Sequence, residues 1–160
     1  MLKIKPFRQR AGSCGPASLK MILNYFGVDV SERQLIKLTG CTPGKGVGAK
    51  GILEGAKKLG FDGFIKDDSN FNELRHYVIK NKIPVIVDWF WYDEGHYSVV
   101  VDIDRENIYM LDPSLGHLRA LRLRKFRRLW FDFPQDYIKK KEDIILRRII
   151  VIYPSSSKLS

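Results

Sequence analysis

The chain has 160 residues, with 28 Lys+Arg against 18 Asp+Glu for a formal net charge of +10, and 44% of its residues are hydrophobic. That is enough apolar chain for one self-sufficient core, and two cysteines are too few for a disulfide scaffold. No apolar run is long enough to cross a bilayer, and the opening MLKIKPFRQRAGS lacks the apolar stretch of a secretory signal, so a cytoplasmic protein with reduced thiols is expected.

No low-complexity linker or internal repeat divides the chain, which reads as a single domain over residues 1–160. Its first half is helical in pattern. Ala17, Met21, Ile22, Tyr25 and Phe26 recur at helical spacing, and Gly27 follows where a C-terminal cap sits. Ser31 with Gln34 forms a capping box for a short helix through Leu35, Ile36 and Leu38, ended by Gly40. A third helix carries Ile52, Leu53, Ala56 and Leu59 before Gly60. A fourth begins near Asn70, with Glu73 at its third position and Phe71, Leu74 and Val78 on one side.

The second half changes period. Residues 83–90, 96–101, 107–111, 118–123 and 144–153 are β-branched or aromatic runs, separated by turns such as Asp93-Glu94-Gly95 and Asp112-Pro113-Ser114. Helices first and strands afterwards predict an α+β domain with N-terminal helices packed on a C-terminal antiparallel sheet. Charge is segregated along this half. Residues 88–112 hold seven acids against Arg105, and residues 118–149 hold eleven Lys/Arg against four acids. A basic stretch without a nucleic-acid motif reads as a solvated face, so no nucleic-acid partner is expected.

Chemistry concentrates at three points. Cys14 stands in Ser13-Cys14-Gly15-Pro16-Ala17, where the first helix begins; Pro16 suits a first turn and Gly15 lets backbone approach closely. The positive end of the helix dipole favours a nucleophilic thiolate there, and the free N–H groups of the first turn form half of an oxyanion hole. The Gln9 side-chain amide, five residues upstream, is placed to form the other half. His96 follows Gly95 at the start of a strand, and Asp112 closes the next strand. If those strands form a hairpin, Asp112 orients the His96 ring as the third member of a Cys-His-Asp triad. The aromatic run Trp89-Phe90-Trp91-Tyr92 leads toward this point. Its alternate members would line a cleft for an extended peptide, with Trp91, Gly95 and Tyr97 as the candidate substrate contacts.

Gln9, Cys14-Gly15-Pro16-Ala17-Ser18-Leu19, Gly95-His96-Tyr97-Ser98-Val99-Val100 and Leu111-Asp112-Pro113-Ser114 together resemble the double-glycine leader peptidases, the papain-like domains that precede bacteriocin-exporting ABC transporters. The likeness extends over residues 6–153, leaving 154–160 as an expected flexible tail. It implies a papain-like cysteine peptidase with Cys14 as nucleophile, His96 as general base and acid, Asp112 as orienting group and Gln9 as oxyanion donor. It also implies a peptide substrate cut after a Gly-Gly leader, and an ABC transporter on a separate chain as partner. Two positions depart from the family pattern: Ser13 stands where many members have Asp, and Gln9 lies five residues before the cysteine rather than six.

Two other functions fit the same residues. One is a papain-like acyl-transferase or amidase, and the other a binding module with a vestigial site and a basic face. Gly46-Val47-Gly48-Ala49-Lys50-Gly51 matches a dinucleotide fingerprint, but a helix rather than a strand precedes it, so no nucleotide is expected. Cys41 has no Cys or His at ligand spacing, so it reads as a buried bystander, and neither metal nor cofactor is expected.

Overall fold

The computed structural model describes residues 1–157 and 159. Three helices come first: α1 (Cys14–Tyr25), α2 (Glu32–Thr39) and α3 (Ala49–Lys57). Gly27 and Gly40, at φ 84 and 75, adopt the left-handed turn that lets the chain leave α1 and α2. The capping box at α2 forms as the spacing predicts, with Ser31 Oγ accepting from the Gln34 N–H at 3.2 Å. Strand β1 (Phe61–Lys66) precedes α4 (Phe71–Arg75), where Asn70 Oδ1 caps the Glu73 N–H at 2.9 Å. Helix α4 runs on into a π-helical turn, His76–Lys80.

Four strands and a helix follow: β2 (Val85–Trp91), β3 (Glu94–Ile103), β4 (Asn107–Asp112), β5 (His117–Arg122) and α5 (Leu123–Leu129). The chain ends with β6 (Phe131–Asp132), a 3-10 turn (Lys141–Asp143), β7 (Ile145–Leu146) and β8 (Arg148–Pro154). The main sheet is antiparallel in the order β1-β8-β2-β3-β4-β5, and β6 and β7 pair separately.

Strand alternation gives the sheet two apolar faces, each covered by helices. Ile86, Tyr97, Val99, Leu111, Ile150 and Ile152 pack against Leu19, Ile22, Leu35 and Ile52 of the first three helices. Val85, Val87, Trp89, Val100, Met110 and Val151 pack on the other side against Leu74 and Val78, and against Phe126 and Trp130 at α5 and its end. The expected α+β architecture is therefore present, with three differences. Strand β1 lies inside the half read as helical, and α5 lies inside the half read as strands. The run 144–153 is broken at Arg147, whose φ of 47 interrupts the strand between β7 and β8.

The turn before His96 is also tighter than the sequence suggests. Trp91 pairs directly with Glu94, so only Tyr92 and Asp93 form the loop, Tyr92 takes φ 55, and Gly95 lies within β3. At the far end, Pro154 still belongs to β8, and Ser155 donates to the Gly60 carbonyl through both N–H and Oγ, at 3.3 and 2.6 Å. Of the expected flexible tail, Lys158 and Ser160 lie outside the described residues.

Candidate active site

Cys14 is the first residue of α1 and is partly exposed. Ser13, in the N-cap position, is tied down by its own side chain, whose single hydroxyl proton is shared between the Arg10 carbonyl at 2.8 Å and Glu32 Oε2 at 2.9 Å. Glu32, nearly buried at the start of α2, also accepts the Arg10 N–H at 3.0 Å. The serine that stands in place of the family's aspartate thus anchors the turn before the thiol through a carboxylate borrowed from the next helix. Gly15 earns its place sterically: a Cβ there would lie 2.5 Å from Val47 Cγ1, against which the glycine-rich loop packs the start of α1. Cys41 is buried, its Sγ directed at the Gly12 carbonyl at 3.5 Å, and burial raises its thiol above the ordinary value.

Strands β3 and β4 pair in the register Val99↔Leu111, which sets the beginning of β3 beside the end of β4. His96 Nε2 and Asp112 Oδ1 meet there at 2.6 Å. Asp112 is almost wholly buried and fully occupied: its Oδ1 also accepts the Ser114 N–H at 2.9 Å and Oγ at 2.7 Å, and its Oδ2 accepts Arg119 Nε at 2.8 Å. The Arg119 guanidinium lies over the Trp91 ring at 4.6 Å, so the carboxylate is held from a rigid cationic surface. With Nε2 committed to Asp112, the other ring nitrogen is left free for the Cys14 thiol, whose proximity helps raise the ring.

Electrostatics follow from this packing. Burial alone would push His96 down, but the hydrogen bonds to Asp112 and Cys14 and their negative charge outweigh it and raise the imidazole to about 9. Burial likewise works to raise Asp112, yet the His96 hydrogen bond and charge, with the Ser114 donors, hold it below the ordinary carboxylate range. A thiol beside an imidazole that stays protonated at neutral pH, itself oriented by an ionised carboxylate, is equipped for nucleophilic attack on a carbonyl.

The other expected residues are placed less simply. Gln9 is tethered to the same corner, its backbone N–H donating to the Pro113 carbonyl at 2.8 Å. Its side-chain Nε2 donates to the Arg10 carbonyl at 3.2 Å, while Oε1 is buried without a partner. Tyr97 is only 7% exposed and packs in the core with Val99 and Val101, because alternation turns it toward α1 rather than into an open cleft. Gly95 is partly exposed, but a Cβ there would fall on the Asp132 carboxylate, so no side chain could reach out from this position. Trp91 stays partly exposed, with Arg119 and Lys125 over its ring at 4.6 and 5.5 Å.

Arg119, Ser114 and Asp132 were not singled out by the sequence. Ser114 and Arg119 follow Asp112 at two and seven residues, a spacing that a turn into a paired strand would have suggested. No local signal joins Asp132 to Gly95. Among the described residues no cluster of His, Cys, Asp and Glu is suited to hold a metal ion, and no helix is long and apolar enough to cross a membrane.

Residues 5–133 match the model of the peptidase C39 family. A protein of Methanothermobacter thermautotrophicus is 32% identical over 116 residues, 72% of this chain and 75% of its own length. The lactococcin-G-processing and transport ATP-binding protein LagD of Lactococcus lactis is 28% identical over 133 residues, 78% of this chain but 17% of that protein. Among solved structures, the peptidase domain of Streptococcus ComA, a bifunctional ABC transporter, superposes with a TM-score of 0.74 at 22% identity, covering 97% of this chain and 100% of that domain. A double glycine motif protease from an AMS/PCAT transporter, in complex with its leader peptide, gives 0.69 at 20% identity and covers 96% of this chain and 94% of its own.

Proposed function

The chain belongs to the peptidase C39 family and is a cysteine peptidase, and on that footing we propose that it cuts a peptide after a Gly-Gly pair through Cys14, His96 and Asp112. The observation that carries the reading is the His96 ring, held at 2.6 Å by a buried Asp112 on β4, with Cys14 at a helix N-terminus near enough to help keep the ring protonated. Cys14 Sγ attacks the scissile carbonyl carbon, and the resulting oxyanion is received by the Cys14 N–H at the start of α1. Gln9 supplies the second donor by exchanging the Arg10 carbonyl for the oxyanion. His96 gives its proton to the departing amine as the C–N bond breaks, leaving a thioester on Cys14. It then takes a proton from water, whose oxygen attacks the thioester and releases the acid.

The substrate class is supported by the relatives that carry this domain, which include a bacteriocin-processing transporter and a double glycine motif protease holding its leader peptide. An ABC transporter that exports the trimmed peptide is the proposed partner. The deciding experiment offers the protein a peptide ending its leader in Gly-Gly and follows the products by mass spectrometry. Cleavage directly after the second glycine, lost in Cys14→Ala, is the expected result. Acyl transfer to an added amine in preference to water would move the assignment to an acyl-transferase, and no cleavage of any Gly-Gly peptide would overturn it.

A further inference from the structure

On strand β2, Trp89 stands directly across from His96, and a closed ring of contacts runs from it through Arg119 and Asp112 back to the histidine. Trp89 is fully buried, its Nε1 donates to Ser98 Oγ at 3.0 Å, and its ring meets the His96 ring edge-on at 5.8 Å. Trp91, two residues on along the same face of β2, lies 5.3 Å from Trp89. The Arg119 guanidinium, brought in by β5, rests over both indoles, 4.6 Å from Trp91 and 5.8 Å from Trp89, with its side chain only 15% exposed. From there Nε donates to Asp112 Oδ2 at 2.8 Å, and Asp112 Oδ1 returns to His96 Nε2 at 2.6 Å.

The partners of this carboxylate are unevenly divided. Its Oδ1 takes the histidine and both Ser114 donors, whereas Oδ2, among the described residues, takes Arg119 alone. An Asp side chain turns readily about its last bond, and the Asp112 side chain has no exposure through which water could replace a lost donor. The charged groups around the pair are Cys14 of α1 beside His96, Arg119 of β5 beside Asp112, and Lys125 of α5 over the Trp91 ring at 5.5 Å. As a cation alone, Arg119 opposes the pair, because it draws on the carboxylate charge that favours imidazolium. As a planar donor fixed on two indoles, it does the reverse by keeping the carboxylate in place.

We propose that Arg119 is a positioning residue for the reaction: clamped on Trp91 and Trp89, it holds Asp112 Oδ2 so that Oδ1 stays aimed at His96 Nε2. It acts through Asp112, and orientation outweighs the charge it sets against the pair. This inference rests on the Cys14-His96-Asp112 peptidase reading above.

The two roles of Arg119 predict opposite signs, which makes them separable. The experiment compares wild type, Arg119→Met and Arg119→Lys by NMR titration of the His96 imidazole and by kcat and KM on a Gly-Gly peptide. Arg119→Met removes the donor and the charge while keeping an apolar contact for Trp91. Its imidazole midpoint should move from about 9 down toward the ordinary 6.5, with kcat about 10–100-fold lower, the scale of losing an outer hydrogen bond that orients a site residue, and KM within about twofold. Arg119→Lys keeps the charge without the flat stack and should fall between the two; it decides the matter if the Met variant does not fold. A midpoint that rises in Arg119→Met would show a cation that only offsets carboxylate charge, and would overturn the positioning role. Wild-type midpoint and kcat in Arg119→Lys would overturn it as well, since charge alone would then suffice. A wild type that leaves every Gly-Gly peptide uncut overturns the peptidase reading instead, while the midpoints still decide whether Arg119 holds Asp112 to His96.

Discussion

At the scale of single residues, the proposed triad makes the His96–Asp112 contact the point that sets both chemistry and pH response. Replacing Asp112 by Asn keeps the shape but removes the charge that holds the ring, and kcat should fall by about 10⁴-fold, as when a triad carboxylate is neutralised. An NMR titration of the imidazole should give a wild-type midpoint near 9, moving toward the ordinary value of about 6.5 in the Asn variant. A midpoint unchanged by the substitution would mean that Asp112 does not set the ring's charge. The sign for stability is fixed by the same shift. His96 is raised on folding, so its contribution is fully present below about pH 6.5 and is lost as pH rises through about 9. Asp112 is depressed, so its contribution is present above about pH 3.9 and is lost as pH falls through its lower folded value. Urea midpoints should therefore drop between pH 6.5 and 9.5 in wild type and stay flatter in His96→Gln. Gln9 is a separate matter. Its alanine variant should lose about 10²–10³-fold in kcat with little change in stability, the usual effect of removing one oxyanion donor.

At the scale of elements, the thiol is positioned by two neighbours of α1. The Ser13–Glu32 bond joins the start of α1 to the start of α2 at 2.9 Å, and Ser13→Ala leaves Glu32 with a lost donor in a nearly dry site. The expected cost is about 1–3 kcal/mol by urea denaturation, accompanied by slower alkylation of Cys14, and an unchanged alkylation rate would separate the anchor from the site. The glycine-rich loop acts from the other side. Gly15→Ala should destabilise by about 1–3 kcal/mol through overpacking, and Val47→Ala should recover much of that loss because it removes the atom 2.5 Å from the new Cβ. Additive losses in the double variant would show that the strain lies elsewhere. Of the dinucleotide-like glycines, Gly51 is accounted for by packing, since a Cβ there would lie 2.5 Å from Val47 Cγ2, and Gly46 by its φ of 65.

The whole molecule is a sheet covered on both faces, and its two halves are mechanically one. Phe126→Ala empties the face away from α1 and should cost about 3–5 kcal/mol, with near- and far-UV signals shifting together, because β2, β3 and β8 carry both cores. Two cations of the basic third, Arg124 and Arg127, line a groove beside α4 and α5. This groove, of about 470 Å³, is also lined by Phe71, Arg75 and Leu123. Converting Arg124 and Arg127 to Gln should leave kcat/KM on an uncharged Gly-Gly peptide within about twofold, as expected for solvated charges on a surface, and a larger loss would implicate this face in substrate capture.

Much of this architecture is legible in one dimension because its signals are local. The helical periods of α1 to α3, the Ser31–Gln34 box and the Cys14-Gly15-Pro16 start each depend on residues a few positions apart. The residues gathered at the site could also be named from the sequence, since a hairpin brings strand ends sixteen residues apart together. Strand β1 escaped notice because its partner β8 lies some 90 residues away and Gly63 interrupts its pattern. That glycine is required where a Cβ would meet the Val151 carbonyl. Helix α5 escaped because its cationic run carries one fully buried apolar residue, Phe126, too little for a period. The sequence alone determined the helical start that presents Cys14, the strand ends that carry His96 and Asp112, and the α+β class. Only the tertiary structure decided that Arg119 and Ser114 occupy Asp112, that Tyr97 faces inward, and that Asp132 rests on Gly95. Local pattern reports which face an element buries, but long-range packing determines what meets it there.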